Sequence, residues 1–410
     1  MCVLRIRVLK KKELADRYYE KKAIPSKTRP KGKLLWIHAA SVGEAQSALR
    51  LIKEIRTLYP TASLLFTTGT ITSSQLIDKS VKDECIHQFY PLDHPDWCKR
   101  FLDYWKPDAV LWMESELWPN MLHEIKKLHI PAVLVNARMS DKSFNSWIKI
   151  NIFSESLLRC FTQILCQTEY DQEKYIALKA PNVIVTDNLK YSASPLKVSA
   201  EQFEDLNGTI QGRPCWLYAS THAGEEEIAL ELHKKLKKII PDILTIIVPR
   251  HPERRVEIKA LLKSENQNIS FRNNKDILSK ETDIYIADTL GELGIFYSLS
   301  QITCIGRSFS HDGGGGHNPI EAAQFRCAVL HGPKVQNLQE IYDDMHKEKA
   351  AIQVNTTDEF YEELLSLLTD RDKLKLYQDR AYSFSKSKEN VISTVMENIK
   401  PVLQELEHNN

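Results

Sequence analysis

Leu34-Leu35-Trp36-Ile37-His38-Ala39-Ala40-Ser41-Val42-Gly43-Glu44 sets the fold class of this chain. Residues 34–40 form a continuous apolar run of strand length. Ser41-Val42-Gly43-Glu44 then opens a segment whose apolar positions, Ala45, Ala48, Leu49, Ile52 and Ile55, keep helical spacing. A strand apolar on both faces that feeds directly into a helix is half of a βαβ unit, and it implies a parallel sheet covered on both sides. The same rhythm gives candidate strands at 63–68, 109–113, 132–136, 163–166 and 183–185, with helix-like stretches between most of them. A polar stretch at 192–212 reads as a connection, and a second series follows at 216–219, 244–248, 283–287, 302–305 and 328–331. The expectation is an α/β protein of two tandem domains, whose ligands sit beyond the carboxyl ends of the strands.

A chain of 410 residues, 42% hydrophobic and 27% charged, is long enough for two cored domains. Its net charge of +1 argues against a general nucleic-acid binder, but the charge is uneven. Residues 1–33 hold twelve Lys/Arg against Glu13, Asp16 and Glu20, a surplus of nine that leaves −8 for the remainder. Such a basic leader suits an anionic membrane surface, and equally a solvated tail. The apolar run at 1–9 is interrupted by Arg5 and Arg7, whereas a bilayer span needs about 20 apolar residues. It also lacks the apolar core and cleavage site of a secretory signal. The eight cysteines are scattered without a CxxC pair and read as buried thiols of a reducing compartment.

Polar clusters fall at the predicted strand ends. Ser308-Phe309-Ser310-His311-Asp312-Gly313-Gly314-Gly315-Gly316-His317-Asn318-Pro319-Ile320-Glu321 follows the run 302–305. Its glycines allow close backbone approach, and Asn318-Pro319 starts a helix-like segment whose N–H groups and dipole suit a phosphate. Glu321, inside the first turn, suits ribose hydroxyls. A glycine loop closed by a capped helix is the plainer alternative. Glu44 also has two readings, a general base or the distal half of a Ser41-x-x-Glu44 capping box reaching back to the Ser41 N–H. Glu114-Ser115-Glu116, Asn136-Ala137-Arg138 and Lys190 end other strands of the first series. Ser220-Thr221-His222 and Pro249-Arg250-His251-Pro252 do so in the second.

Several of these segments together resemble the motif series of the Kdo transferases. They are 36–44, Glu114-Ser115-Glu116-Leu117-Trp118-Pro119-Asn120, Asn136-Ala137-Arg138-Met139-Ser140, Asn188-Leu189-Lys190, 219–226, Pro249-Arg250-His251-Pro252 and 315–321, in family order from about 34 to 340. Members of that family move 3-deoxy-D-manno-octulosonic acid (Kdo) from CMP-Kdo to a lipid A precursor on the cytoplasmic face of the bacterial inner membrane, a step of lipopolysaccharide synthesis. The resemblance implies a GT-B fold of two Rossmann-like domains facing across a cleft. Domain limits follow as a leader 1–33, an acceptor domain 34–191, a linker 192–212, a donor domain 213–385 and a C-terminal helix 386–410 packing back on the first domain.

By the same resemblance Glu44 is the general base of an inverting transfer. Ser220, His222, Arg250, Gly314, Gly315, Gly316, Asn318 and Glu321 bind the nucleotide. Lys190, Glu114, Glu116 and Arg138 belong to the Kdo and acceptor region, with Lys190 opposite the Kdo carboxylate. CMP carries one phosphate, so no diphosphate calls for a bridging metal, and neither a metal nor another cofactor is expected. Kdo transferases usually begin with a longer apolar anchor than the run at 1–9, so peripheral attachment through the basic leader, Tyr18 and Tyr19 is expected. A GT-B enzyme using a UDP-sugar, which would prefer UDP to CMP, and a non-catalytic nucleotide- or lipid-binding paralogue are the competing classes. The joint presence of Glu44, Lys190, Arg250, Asn318 and Glu321 argues against the second.

Overall fold

The computed structural model describes residues 14–81, 84–192, 196–210, 212–263, 267–274, 278–404 and 406. The chain divides into two compact units, 1–192 with 390–410, and 193–389. In the first unit the strands are β1 (Leu34–Ala39), β2 (Ser63–Thr68), β3 (Ile86–Phe89), β4 (Ala109–Met113), β5 (Ala132–Ala137), β6 (Gln163–Cys166) and β7 (Val183–Val185). They form one parallel sheet in the order β3-β2-β1-β4-β5-β6-β7. The second unit holds β8 (Cys215–Thr221), β9 (Leu244–Pro249), β10 (Ile269–Phe271), β11 (Ile284–Ile286), β12 (Ile302–Ile305), β13 (Ala328–His331) and β14 (Ile352–Gln353). Their order, again parallel, is β10-β11-β9-β8-β12-β13-β14.

Both sheets reverse direction of growth once, between β1 and β4 and between β8 and β12. At such a switch point the loops leaving two neighbouring strands diverge to opposite faces and open a crevice at their carboxyl ends. The central strands are buried along their whole length, as their unbroken apolar runs require. In the first unit one core layer packs Trp36, Trp105, Trp112 and Phe101 on one side of the sheet, and another packs Ile37, Leu51, Ile52 and Phe66 on the other.

Two expectations need correction. The polar stretch at 192–212 is more than a connection: Ala200–Ile210 is a helix that buries Leu206 and Ile210, two apolar residues four apart that the surrounding acids obscured. Residues 14–33 of the basic leader are built into the first unit. Glu20 is fully buried, where it accepts from Arg17 at 2.8 Å and from the Phe89 N–H at 2.6 Å, and Lys21 donates to the Gly69 carbonyl at 2.8 Å. Tyr18 and Tyr19 are half-buried. The expectations on residues 1–13 lie outside the described residues. The helix Val391–Gln404 belongs to the first unit, and its Val391, Val395, Ile399 and Leu403 join the core layer of Leu51 and Ile52. No helix among the described residues is long and apolar enough to cross a membrane.

Candidate functional site

In the first unit the switch point is lined by carboxylates. The helix Val42–Leu58 leaves β1 with Ser41 as its N-cap, the Ser41 hydroxyl accepting from the Glu44 N–H at 3.3 Å. Glu44 does reach backwards, but to the N–H of Ala40 at 2.6 Å rather than that of Ser41, while the Ser41 hydroxyl donates to its other oxygen at 3.1 Å. The capping and catalytic readings are therefore compatible, because the cap holds the carboxylate at the carboxyl end of β1. Only 5% of Glu44 is exposed. Burial pushes its pKa from 4.5 up to about 7; the Ala40 N–H opposes this, and the charges of Glu114 and Glu116 add to it.

Glu114 ends β4 with a φ of 56° and is buried, and Asn136 near the end of β5 has a φ of 57°. Left-handed backbone at non-glycine residues is unfavourable, and here a side-chain network holds it. Asn136 donates to Glu114 at 3.4 Å, accepts from the Leu189 N–H at 2.9 Å, and its carbonyl accepts from Gln167 at 3.0 Å. Arg50, from the helix that carries Glu44, donates to the carbonyls of Leu189 and Lys190, both at 2.7 Å. Glu114 and the Lys190 loop are thus tied by hydrogen bonds to each other and to the helix that carries Glu44. Glu116 lies within electrostatic reach of Glu44, and its own pKa is raised by burial. Arg138 is half-buried one strand further along, its carbonyl accepting from Tyr175 at 3.3 Å. His38 is a core residue, with its ring 4.1 Å from Tyr90 and 4.4 Å from Trp112, and burial keeps it neutral.

The second unit repeats the arrangement. Glu225 opens the helix after β8 as Glu44 opens the one after β1, and it is fully buried. Its carboxylate accepts four backbone N–H groups, from His222 and Arg307 at 2.8 Å, Phe309 at 2.9 Å and Ser308 at 3.0 Å. One side chain therefore pins both loops of the β8/β12 switch point. Ser220 (φ 60°) and Arg307 (φ 61°) are left-handed there. His222 contacts Asp312 through Nδ1 at 3.0 Å and His317 through Nε2 at 3.0 Å, and His251 lies 5.5 Å away between ring centroids. With Nδ1–H of His222 donating to the Asp312 carboxylate, a neutral His222 must accept from the Nε2–H of His317. Burial, then the charges of His222, Arg250 and Arg307, push His317 down to about 3. Arg250 is exposed beside these rings, its N–H bonded to the Thr221 carbonyl at 3.0 Å.

The glycine loop is built differently from the expectation. Gly313, Gly314, Gly315 and Gly316 all have φ between 69° and 128°, which is why four glycines are needed. The N–H groups of Gly314, Gly315 and Gly316 are not free for a ligand. Gly314 donates to Asp312 at 3.1 Å, Gly315 to the Lys334 carbonyl at 3.0 Å, and Gly316 to that of Arg307 at 3.0 Å. The helix that follows is only Ile320–Gln324, and its first N–H is capped by Asn318 at 3.1 Å. A helix this short contributes little dipole. Glu321 is half-buried in its first turn.

Ser220 lies at the end of β8, and His222, Arg250, the glycine loop, Asn318 and Glu321 lie in the loops leaving β8, β9 and β12 or in the short helix that follows. The structure brings His222, Arg250 and His317 within electrostatic reach of one another. The first unit gathers Glu44, Glu114, Glu116 and the Lys190 backbone, with Arg138 at its margin. Glu225, Asn136, Arg50, Arg307 and Asp312 were not among the expected site residues. The sequence signal for Glu225 was present, since Glu44 and Glu225 each follow a switch-point strand within five residues. The others act through backbone partners that no local pattern reveals.

Residues 12–193 match the family described as 3-deoxy-D-manno-octulosonic-acid transferase (kdotransferase). The 3-deoxy-D-manno-octulosonic acid transferase of Rickettsia typhi is 36% identical over 372 residues, covering 90% of this chain and 80% of its own. The chain belongs to the Kdo transferase family. Family members from Rickettsia bellii (35% identity, 96% of this chain, 94% of theirs) and Haemophilus influenzae (31%, 96% and 92%) extend the match nearly end to end. Among solved structures, MurG of Acinetobacter baumannii superposes with a TM-score of 0.53 at 14% identity, over 90% of this chain and 99% of its own. The UDP-GlcNAc 2-epimerase of Neisseria meningitidis gives 0.52 at 16%, over 90% and 100%. This member of the Kdo transferase family is a glycosyltransferase with the two Rossmann-like domains of the GT-B fold.

Proposed function

We propose that the chain transfers Kdo from CMP-Kdo to a hydroxyl of a lipid A precursor, with inversion, at the cytoplasmic face of the bacterial inner membrane. The observation that carries this reading is Glu44, a buried carboxylate held at the switch point with a pKa near 7. A base poised there is half ionised at neutral pH and strong enough to take the proton of an attacking hydroxyl. As that oxygen bonds to the anomeric carbon of Kdo, the bond to the CMP phosphate breaks on the opposite side. The departing phosphate is already a good leaving group, so one carboxylate suffices, unlike the pair that glycoside hydrolysis needs.

The donor belongs to the second unit. Arg250 supplies charge for the phosphate, the neutral His222–His317 pair lines the site beside it, Ser220 and Asn318 add polar contacts, and Glu321 offers an acceptor for ribose hydroxyls. Gly314, Gly315 and Gly316 shape the loop, their N–H groups being already bonded. In the first unit Lys190 meets the Kdo carboxylate, and Glu114, Glu116 and Arg138 surround the acceptor. No step of this scheme calls on a metal ion or other cofactor.

The test is incubation of the purified protein with CMP-Kdo and lipid A precursor, with the product lipid weighed by mass spectrometry. Glu44→Ala is expected to lower transfer at least ~100-fold while CMP affinity, measured by calorimetry, is unchanged. Near-normal turnover in that variant would return Glu44 to capping alone.

A further inference from the structure

The segment between β5 and β6 carries an exposed apolar surface that the proposed chemistry does not use. The helix Asp141–Trp147 buries none of its residues, and the helix Asn151–Leu158 buries only Ser154, Leu157 and Leu158. Between and on them Ile148 is 37% exposed, Ile150 49%, Ile152 83% and Phe153 50%, with Trp147 and Phe153 stacked at 6.4 Å. Isolated exposed apolar residues are ordinary, but four within six positions form a patch that marks an interaction surface.

Its charge identifies the partner. Residues 142–153 contain Lys142 and Lys149, both exposed, and no acid. The acids that flank them are already engaged, Asp141 by Lys174 at 2.7 Å and Glu155 by Arg159 at 3.0 Å. Beside Phe153 lies a groove of about 380 Å³, with Pro119 and Leu122 as apolar wall and Lys126, Lys127 and His129 at its rim. Apolar side chains interleaved with lysines, next to a cation-rimmed groove, match the acyl boundary and phosphates of an anionic bilayer. Residues 1–13 complement it poorly, since Arg5, Arg7, Lys10, Lys11 and Lys12 give that segment the same sign, and a second copy would set lysines against lysines.

We infer that residues 147–153, with the groove beside Phe153, are the surface by which the first unit docks on an anionic membrane. The position fits a lipid-linked acceptor, a point that rests on the proposed function. The helix Pro119–Lys127 that walls the groove begins shortly after the Glu114–Glu116 cluster, and the patch begins nine residues after Arg138. Docking here brings the acceptor loops to the lipid surface independently of the leader.

The experiment is co-sedimentation of the full chain with vesicles containing phosphatidylglycerol, against vesicles of phosphatidylcholine alone. Three variants accompany it: Ile152→Asp/Phe153→Asp, Lys142→Glu/Lys149→Glu, and a chain lacking residues 1–13. Each apolar side chain removed from the interface is worth about tenfold in partition and each lysine about fivefold. The parent is expected to bind the anionic vesicles only, the first variant at least ~10-fold less, the second less in a salt-sensitive manner, and the shortened chain to retain most binding. Parent-like binding by both substituted variants, loss of binding on removing residues 1–13 alone, or no binding by the parent would overturn the inference. Transfer to detergent-dispersed acceptor is read separately. Full activity there in the first variant shows that it is folded and isolates the docking defect, whereas absence of transfer by the parent counts against the proposed function and leaves the vesicle result standing.

Discussion

The carboxylate of Glu44 is held by opposing forces, and pH separates them. Burial favours its neutral form, the Ala40 N–H favours the charged one, and Glu114 and Glu116 repel that charge. As the proposed base, Glu44 must be ionised to act, so kcat/KM is expected to fall as pH drops below about 7, with one proton governing the acid limb. Glu116→Gln removes a repelling charge and leaves the base itself in place. The acid limb should therefore move to lower pH, and a profile that stays fixed would show that the two carboxylates do not communicate. Stability follows the opposite direction. A carboxyl whose pKa is raised from 4.5 to about 7 on folding contributes most below pH 4.5 and loses that contribution as pH rises through 7. Glu44→Gln, which stays neutral, is expected to be more stable than the parent at pH 8 to 9, by up to about 3 kcal/mol, with no gain at pH 4. Chemical denaturation at the two pH values measures it. On the proposed function, this is the exchange of stability for reactivity that active sites commonly make.

Among the elements, the ends of the central strands are where glycine is decisive. Gly306, just past β12, lies against the Ser220 and Ala219 carbonyls, so a Cβ there would overlap backbone that cannot yield without separating β12 from β8. Gly306→Ala is expected to lower stability by about 1–3 kcal/mol and to weaken CMP binding, because the loops carrying Ser220, His222 and the glycine run move apart. Gly313→Ala offers a control. Nothing lies within 4 Å of its Cβ, and only its φ of 93° is strained, so a loss of roughly 1–2 kcal/mol is expected. Equal thermal shifts in the two variants would sink the distinction. The central strands were legible in sequence because strands buried on both faces read as continuous apolar runs, as 34–39 and 109–113 do. The strands that escaped, β3, β10 and β14, are sheet edges. Ile86-His87-Gln88-Phe89 buries two polar residues, and His87 is held there by Thr68 and Arg17, a long-range arrangement that local pattern cannot show. The same holds for the candidate site. Glu44 and Arg250 could be read from their place after a strand, whereas Arg50 and Asn136 act across 139 and 53 positions of sequence.

At the scale of the whole molecule, the chain completes its first unit last. Residues 1–192 make the sheet, but one face of it is closed only when the helix Val391–Gln404 returns, setting Val395, Ile399 and Leu403 against Leu51, Ile52 and Val135. The helix that carries Glu44 is one of the elements so covered, which ties the geometry of Glu44 to the helix Val391–Gln404. Residues 193–389 form a separate compact unit. Ending the chain at residue 389 should therefore act on one unit alone. Each lost apolar contact of this size is worth about 1.5–3 kcal/mol of burial, and several together exceed the few kcal/mol by which a domain of this size is usually stable. Transfer activity is expected to disappear and the first unit to melt early or aggregate, while CMP affinity by calorimetry stays within about threefold of the parent, well under the 1.4 kcal/mol of a tenfold change. Ile399→Asp in the full chain is the milder version, placing one charge in the same layer. Should the shortened chain lose CMP binding and transfer together, the two units would be one cooperative body. The base and the donor site would then have to be treated as folding together.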